Sequence, residues 1–389
     1  MTTQGDTVQL KQHQYMRNSN QNKIKLLSFF TGGGFMDIGF EQAGFEIIWT
    51  NEVEPLFAEM YAAGINNMHK YNGNNQQKNI SNNRSILKIT SKEIKSTVLE
   101  KKSHNIFGII GGPPCQDFSK AGNVQGFAGE RGKLTEVFFE RIYDLEPSFF
   151  VMENVESLWT IKKHRFKLFE ILNRVKDKYE VIGNILNAIE YGVPQDRRRL
   201  FFVGFYRKIF ADIEYDITNN FNWPNKLYDN PLAKYPWPGR STYQGKPSKP
   251  KDVPINLCVK SCLVSENKSK VANANEVFKA KSDKFNLIEE GDTRKQSFKR
   301  LHRYRYSPTA CYGNNEVHLH PYLPRRLSVR EALRIQGVPD SYELPSFIGN
   351  NQDHFGLSAK FKMIGNGVPV PLAKHVGLSV KHFLETYLE

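Results

Sequence analysis

Four groups of residues have types and spacings that could do chemistry. The first is a lone thiol in Gly111-Gly112-Pro113-Pro114-Cys115-Gln116-Asp117-Phe118-Ser119. The apolar run Ile106-Phe107-Gly108-Ile109-Ile110 leads into it and reads as a buried strand ending in a rigid turn. The glycines admit close backbone approach, and the prolines fix φ and remove two donors. A buried cysteine is ordinarily a small hydrophobe. This one stands where an open parallel sheet binds ligands, outside the carboxyl end of a strand. The second group is Glu153-Asn154, delivered by the apolar run Ser148-Phe149-Phe150-Val151-Met152. The third is the turn Thr31-Gly32-Gly33-Gly34, with Glu52 about twenty residues on, the spacing of nucleotide folds that hold a ribose. The fourth is the basic stretch Gln195-Asp196-Arg197-Arg198-Arg199.

A thiol, a carboxyl, a nucleotide-like pocket and a cluster of cations suggest chemistry on a nucleobase. An electron-poor cytosine ring accepts a nucleophile at C6, and a thiolate is the strongest protein nucleophile near neutral pH. Attack places negative charge on the ring, so a group near N3 must donate a proton or hydrogen bond. A carboxyl of raised pKa can do this. C5 is then nucleophilic and can take a methyl group. None of this is reachable inside a duplex, so the base must be flipped out.

The elements that must position these groups alternate. Residues 24–30 read as a first strand, Phe35 to Ala43 as a helix stopped by Gly44, and Ile47 to Thr50 as a second strand. Leu134, Val137, Phe138, Ile142 and Leu145 recur at helical spacing, as do Leu168, Ile171, Leu172 and Val175. Val181 to Leu186 and Leu200 to Phe205 are β-like runs flanking the arginine stretch. Strands alternating with helices argue for a doubly wound α/β sheet. The glycine-rich segment Lys120 to Lys133 reads as a mobile lid. Residues 206–320 change texture, with many Pro, Asn, Lys and Tyr and weak periodicity. The basic run Lys268 to Arg305, ending in Arg303 and Arg305 among Tyr304 and Tyr306, is expected to carry nucleic-acid contacts. Order returns at Arg325, where Ser328-Val329-Arg330-Glu331 is a capping box before a helix to about Gln336.

Composition bounds the partners. The chain has 389 residues, 39% hydrophobic, with a formal charge of +14, which points to a polyanion. Residues 1–22 read as a disordered polar arm without the apolar segment of a secretory signal. No apolar run is long enough to cross a membrane. Cys115, Cys258, Cys262 and Cys311 are too few and scattered for a disulfide framework, and Cys258 and Cys262 lack zinc-site spacing. A reducing cytoplasm, with no metal, is the expected setting.

In this order the motifs resemble those of the C5-cytosine-specific DNA methyltransferases, of the bacterial or phage modification type. Phe30-Thr31-Gly32-Gly33-Gly34 resembles the motif that binds S-adenosylmethionine, and Asn51-Glu52 the one whose Glu holds the ribose. Gly112-Pro113-Pro114-Cys115-Gln116 resembles the nucleophile motif, and Glu153-Asn154-Val155 the motif whose Glu contacts cytosine N3. Gln195-x-Arg197-x-Arg199 resembles the motif whose arginines hold the target nucleotide. Arg325 to Tyr342 resembles the motif after the recognition domain, and Gly365-Asn366-Gly367-Val368 the last motif, which returns to the cofactor.

The resemblance implies a doubly wound, Rossmann-like methyltransferase sheet with a smaller, irregular target recognition domain. Residues 23–205 plus 345–389 would form the first and 206–344 the second. It implies Cys115, Glu153, Arg197 and Arg199 as catalytic residues. S-adenosylmethionine, leaving as S-adenosylhomocysteine, would meet Phe30, Thr31, Gly32, Gly33, Gly34, Glu52, Ile86, Gly112, Pro114, Asn366, Gly367 and Val368. DNA would meet Ser119, Gln195, Arg197, Arg199, Arg303 and Arg305. Two departures stand out. Phe35 occupies the place of a usual second glycine, and Ser85-Ile86 stands where the family often has Asp-Ile near the adenine. The implied partners are double-stranded DNA and a separate cognate restriction endonuclease, with the chain a monomer.

Three other readings are weighed. A tRNA methyltransferase on this fold typically carries Cys-Phe-Thr in its recognition region, which is missing from this sequence. A non-catalytic DNA-binding regulator leaves Cys115, Glu153, Arg197 and Arg199 without a purpose. A nicotinamide dehydrogenase explains the glycine turn but neither the thiol nor the basic region.

Overall fold

The apolar runs become the strands of one six-stranded sheet. These are β1 (Lys25–Phe29), β2 (Glu46–Asn51), β3 (Phe107–Gly111), β4 (Phe149–Val155), β5 (Tyr179–Asn187) and β6 (Arg198–Tyr206), in the order β2-β1-β3-β4-β6-β5. The computed structural model describes residues 23–99, 106–114, 130–210, 217–265, 271–278, 283–295, 297–309, 311–312, 316–346 and 354–388. The expected arm at 1–22, Cys115, Ser119 and residues 120–129 of the expected lid lie outside them.

β1 pairs in parallel with β2 and β3, and β3 with β4, whereas β6 is antiparallel to β4 and β5. The chain thus leaves β1 toward one side for β2 and toward the other for β3. The crevice outside the carboxyl ends of β1 and β3 is the topological switch point, where such sheets bind ligands. Burial on both faces explains why the strands are nearly continuous apolar runs. Consecutive residues fall in opposite cores: Leu26 against Leu27, Phe149 against Phe150, Phe201 against Phe202.

The main helices are α1 (Phe35–Gln42), α2 (Pro55–Tyr71), α3 (Glu130–Leu145), α4 (Lys162–Asn173), α5 (Val329–Ile335), α6 (His354–Asn366) and α7 (Val370–Leu388). Residues of α1 and α7 share one face of the sheet, and those of α3 and α4 the other. Gly44, at φ +99°, ends α1 as its sequence suggests. Ser328 and Glu331 form both halves of the capping box on α5.

Two expectations change. β4 runs on to Val155, because its antiparallel ladder with β6 extends to Val155 opposite Arg199, so Glu153 and Asn154 lie inside the strand. α3 begins at Glu130, so the last residues of the expected lid are its first turn.

Among the described residues after β6, the only strands are the two-residue β7 (Lys299–Arg300) and β8 (His318–Leu319), between short turns. Its own apolar cluster is small: Phe285, Val317 and Leu319, with Ile288 and Phe298 packed against it. Its flanks share the core of the sheet body. Phe210 and Phe221 pack with Phe205 and Phe383, and Leu327, Leu333 and Tyr342 share a cluster with Phe35 and Tyr61. The expected boundaries at 205/206 and 344/345 therefore cut through shared apolar cores.

Candidate active site

The glycine turn is built at the end of β1 under strain. Phe30 sits at φ +56°, a left-handed conformation that costs a bulky residue about 1–3 kcal/mol and concentrates at functional sites. Gly32 follows at φ +58°, and a side chain added there would meet nothing within 4 Å, so the backbone faces open space. Thr31 donates its amide to Asn51 O at 3.0 Å, tying the turn to the end of β2. Glu52 grips the same turn: Oε2 accepts from the Gly32 amide and Oε1 from the Glu54 amide, both at 2.8 Å. Burial pushes its carboxyl above the ordinary range, while those two amides pull it down. A carboxylate has about four acceptor positions, so two bonds leave room for ligand hydroxyls.

The far end of the chain closes on this turn. Tyr342 donates its hydroxyl to Gly33 O at 2.7 Å. A side chain on Gly33 would come 2.6 Å from the Met363 sulfur, and one on Gly367 would strike the Phe35 ring. Asn366 is exposed beside them and Val368 is buried. Ile86 lies in the core cluster with Phe29 and Trp49, and its carbonyl accepts from Arg141, so its side chain supports the site from behind. Ser85 opens the short helical turn of Ile86–Lys88.

The second wall of the crevice is the turn after β3. Gly112 lets Glu153 come close: a Cβ would stand 3.1 Å from Glu153 Oε2, tighter than ordinary contact. Asn154 donates its side-chain amide to Pro113 O at 3.2 Å. Asn154 therefore ties the turn before Cys115 to the neighbouring strand at Pro113, with Pro114 half-exposed at the rim.

Glu153 is 8% exposed, and Arg199 Nε lies 3.0 Å from its Oε1. The two are diagonal neighbours on one face of the β4–β6 ladder, the spacing at which long side chains meet. Burial raises the Glu153 pKa, and Arg199 and then Arg197 offset part of that rise. The result is a carboxyl that can hold a proton yet is oriented by a guanidinium.

Arg197 and Gln195 are corrected by their surroundings. Arg197, expected on the target nucleotide, is 1% exposed and donates from Nη2 to Gly365 O at 2.8 Å and Gly367 O at 3.0 Å. The last carbonyls of a helix lack intrahelical partners, and a cation there also meets the helix dipole. Arg197 thus caps α6 and fixes the Asn366-Gly367-Val368 turn. Gln195, expected on DNA, is fully buried and donates to Gln336 Oε1 at 3.0 Å, while Gln336 donates to Ile364 O at 2.6 Å. Both expected contacts are instead supports of the last motif.

Arg303 is corrected in the same way. It grips the buried Glu290 with two nitrogens, at 2.8 and 2.7 Å, donates to Gly245 O and stacks on Tyr322 at 4.5 Å. Arg305 remains half-exposed, over the Tyr306 ring at 5.1 Å, with Tyr306 edge-on to Trp237. Cys258 and Cys262 are buried, and burial pushes their thiols up to about 11 and about 12, so they are inert.

The reading of residue types missed Tyr342, Gln336 and Asp37, which bear on the turn and its partners. Each works through a contact distant in sequence. Only Asp37 carries a local signal, an acid in the first turn of a helix at a glycine turn.

Comparison with known proteins agrees with this geometry. A family model described as C-5 cytosine-specific DNA methylase matches residues 24–382. The Type II methyltransferase M.NmeDI of Neisseria meningitidis serogroup C is 39% identical over 377 residues, covering 95% of this chain and 86% of that protein. M.FnuDI, a Type II methyltransferase of Fusobacterium nucleatum, is 30% identical, covering 93% and 95%. Among solved structures, a DNA modification methyltransferase encoded within an E. coli prophage superposes with a TM-score of 0.61 at 22% identity, covering 93% of this chain and 100% of that one. S. pombe Dnmt2 does so at 0.56 and 14%, covering 94% and 99%. At such identities the two structures speak for the fold alone. The chain belongs to the C-5 cytosine-specific DNA methylase family.

Proposed function

We propose that this DNA cytosine-5 methyltransferase uses S-adenosylmethionine held at the glycine turn and acts on a flipped cytosine through Cys115. The observation that carries this reading is the Glu153–Arg199 pair, set against the turn that leads into Cys115. The cofactor supplies an electrophilic methyl group on a sulfonium centre. The turn fits such a group: Gly32 opens onto free space, and Glu52 keeps acceptor capacity for ribose hydroxyls. Phe30, Thr31, Gly33, Gly34 and the Asn366-Gly367-Val368 turn complete that pocket, with Gly112 and Pro114 on its far wall.

In the reaction, the Cys115 thiolate bonds to C6 and the C5–C6 π electrons move into the ring. Glu153 gives its proton or hydrogen bond to N3, and Arg199 keeps the carboxyl aimed. C5 takes the methyl group, the methyl–sulfur bond breaking with its electron pair left on sulfur, and C5 then gives up its proton to water. The returning electrons expel the Cys115 sulfur from C6 and N3 hands its proton back to Glu153, so ring, carboxyl and thiolate are all restored. Arg197 holds the α6 turn against the cofactor loop.

The second region, within residues 206–344, would read the duplex through contacts that include Arg305, and Ser119 of the Cys115 stretch would meet DNA as well. The Type II names of the relatives are the ground for adding a cognate restriction endonuclease that acts separately; a cytoplasmic setting and a monomeric enzyme belong to the same proposal. Among the described residues no helix is long and apolar enough to cross a membrane.

The test is Cys115→Ser, assayed for methyl transfer and for duplex binding. Turnover should fall by at least about a thousandfold, with binding kept within a few-fold. Near-full turnover would remove Cys115 as the nucleophile.

A further inference from the structure

Beneath the glycine turn lies a carboxyl that the chemistry above does not use. Asp37, in the first turn of α1, is 1% exposed. Its Oδ1 accepts from Ser28 Oγ at 2.7 Å, and its Oδ2 is buried without a hydrogen-bond partner. Ser28 in turn receives Thr31, whose Oγ1 lies 3.1 Å from Ser28 O and 3.2 Å from Ser28 Oγ. Tyr61 approaches the same carboxyl from α2 and packs on Gly34, where a Cβ would come 2.7 Å from its ring. Asp37 therefore touches the supports of both ends of the turn, Thr31 and Gly34.

The groups around it do not neutralise it. Its own helix brings Glu41, already paired with Lys78 and His69. β1 brings the Ser28 hydroxyl, and α2 brings Tyr61 and His69. The segment after α2 brings Lys78, which sits on Glu41. Tyr342 brings a hydroxyl engaged with Gly33. Burial, with Glu41 adding to it, raises the Asp37 pKa to about 7 against the pulls of Ser28, Lys78 and Tyr61.

We propose that Asp37 is a proton-linked positioning residue for the cofactor turn: protonated, it keeps the turn in its receptive shape, and ionised, it loosens it. An unpaired carboxylate in a dry site draws in donors and water, and the nearest donor is Ser28, on which Thr31 depends. A ligand closing over Gly32 removes water further and favours the neutral acid. By linkage, binding must then take up a proton. The proposal rests on the cofactor reading given above.

The experiment is calorimetric titration of S-adenosylhomocysteine into the full chain between about pH 6 and about pH 8.5, in two buffers of different ionisation enthalpy. Kd should weaken about fivefold across that range, with proton uptake on binding. Asp37→Asn should hold Kd within about twofold and abolish the uptake. Ser28→Ala removes a donor that favours the ionised form. It should move the pH dependence to higher pH, and it keeps the proposal testable if Asp37→Asn does not fold. A flat wild-type Kd, an Asp37→Asn profile that tracks the wild type, or a Ser28→Ala profile that stays or moves down would each overturn the proposal. Loss of binding at every pH in the wild type is a separate result, which would overturn the cofactor reading and this proposal with it.

Discussion

The sheet body is held by rings, and the region from about 240 to 325 is held by arginines. In the sheet body Phe205 stacks on Phe383 at 4.3 Å, and Phe150 meets Phe139 and Tyr179 edge-on. In the second region Arg300 is fully buried. It donates to Ile288 O at 2.7 Å and His320 O at 2.6 Å, also reaches Leu323 O and Phe285 O, and lies over the Tyr243 ring at 4.1 Å. A chain with few strands cannot satisfy its carbonyls in ladders, and a buried guanidinium offers five donors in one rigid fork. The difference teaches what each region tolerates. An apolar core accepts another hydrophobe of about the right size, whereas a fork bonded to four carbonyls accepts nothing else.

The sharpest way to break the comparison is a pair of mild substitutions. Arg300→Lys keeps the charge and loses the fork, leaving buried carbonyls unpaired, and should cost about 3–5 kcal/mol. Phe150→Leu keeps an apolar fill and should cost about 1–2 kcal/mol. Urea unfolding of the two variants measures both. If Arg300→Lys proves the milder, the second region is not held as described.

Acid should then separate the regions, because His318 and His320 in the second region and Asp37 in the sheet body are shifted with opposite effects on stability. His318 and His320 flank Leu319 in β8, and burial pushes both down to about 3. Their folded values lie below the unfolded value near 6.5, so the stability they confer is present above about pH 6.5 and is lost as pH falls toward 3. At about pH 5 each costs the fold about 2 kcal/mol. Asp37 runs the other way. Its folded value near 7 is raised, so the penalty for burying it grows as pH rises from about 4 to about 7, and acid relieves it. Limited proteolysis with an acid-active protease, mapped by mass spectrometry, should therefore cut within 240–325 at about pH 5 before it cuts the sheet body. His318→Gln with His320→Asn should remove that order. Simultaneous cutting in the unaltered chain would mean that the histidines carry no such load.

The same contrast explains what could be read in advance. The strands, the glycine turn with Glu52, Glu153 beside the Cys115 turn and the α5 capping box are all legible. Each is a local pattern of burial, φ or cap chemistry that does not depend on a distant partner. Arg197, Gln195 and Arg303 were expected on DNA and instead have protein partners in this structure, for one reason. A surface arginine and a buried one look alike in sequence, and what decides is a partner elsewhere: Gly365 and Gly367 for Arg197, Gln336 for Gln195, Glu290 for Arg303. The β4 extension is missed because a ladder with β6 fixes a strand's end, and Glu and Asn carry no β signal of their own. The shared cores at the expected domain boundaries could not be read in advance, because Phe210, Phe221 and Tyr342 join the sheet body's core from within a polar stretch.

The smallest expected effect tests which arginines of the second region remain available to a polyanion. Arg303 and Arg305 are two residues apart and equally basic in sequence. Arg303 has its fork on Glu290 and its face on Tyr322, whereas Arg305 has only Tyr306 beside it and stays half-exposed. Replacing a residue that contacts one phosphate should flatten the log–log salt slope of duplex binding by about 0.9. Arg305→Ala should show that change with melting unaltered. Arg303→Ala should leave the slope in place and lower the melting temperature, because the buried Glu290 would lose its guanidinium and keep only the backbone amide of residue 303. Filter-binding titrations at several salt concentrations, paired with thermal melts, decide between the two roles. A slope change for Arg303→Ala and none for Arg305→Ala would reverse the assignment. The fork on Glu290 would then open in the complex, and the second region would be held by fewer arginines than its unbound structure shows.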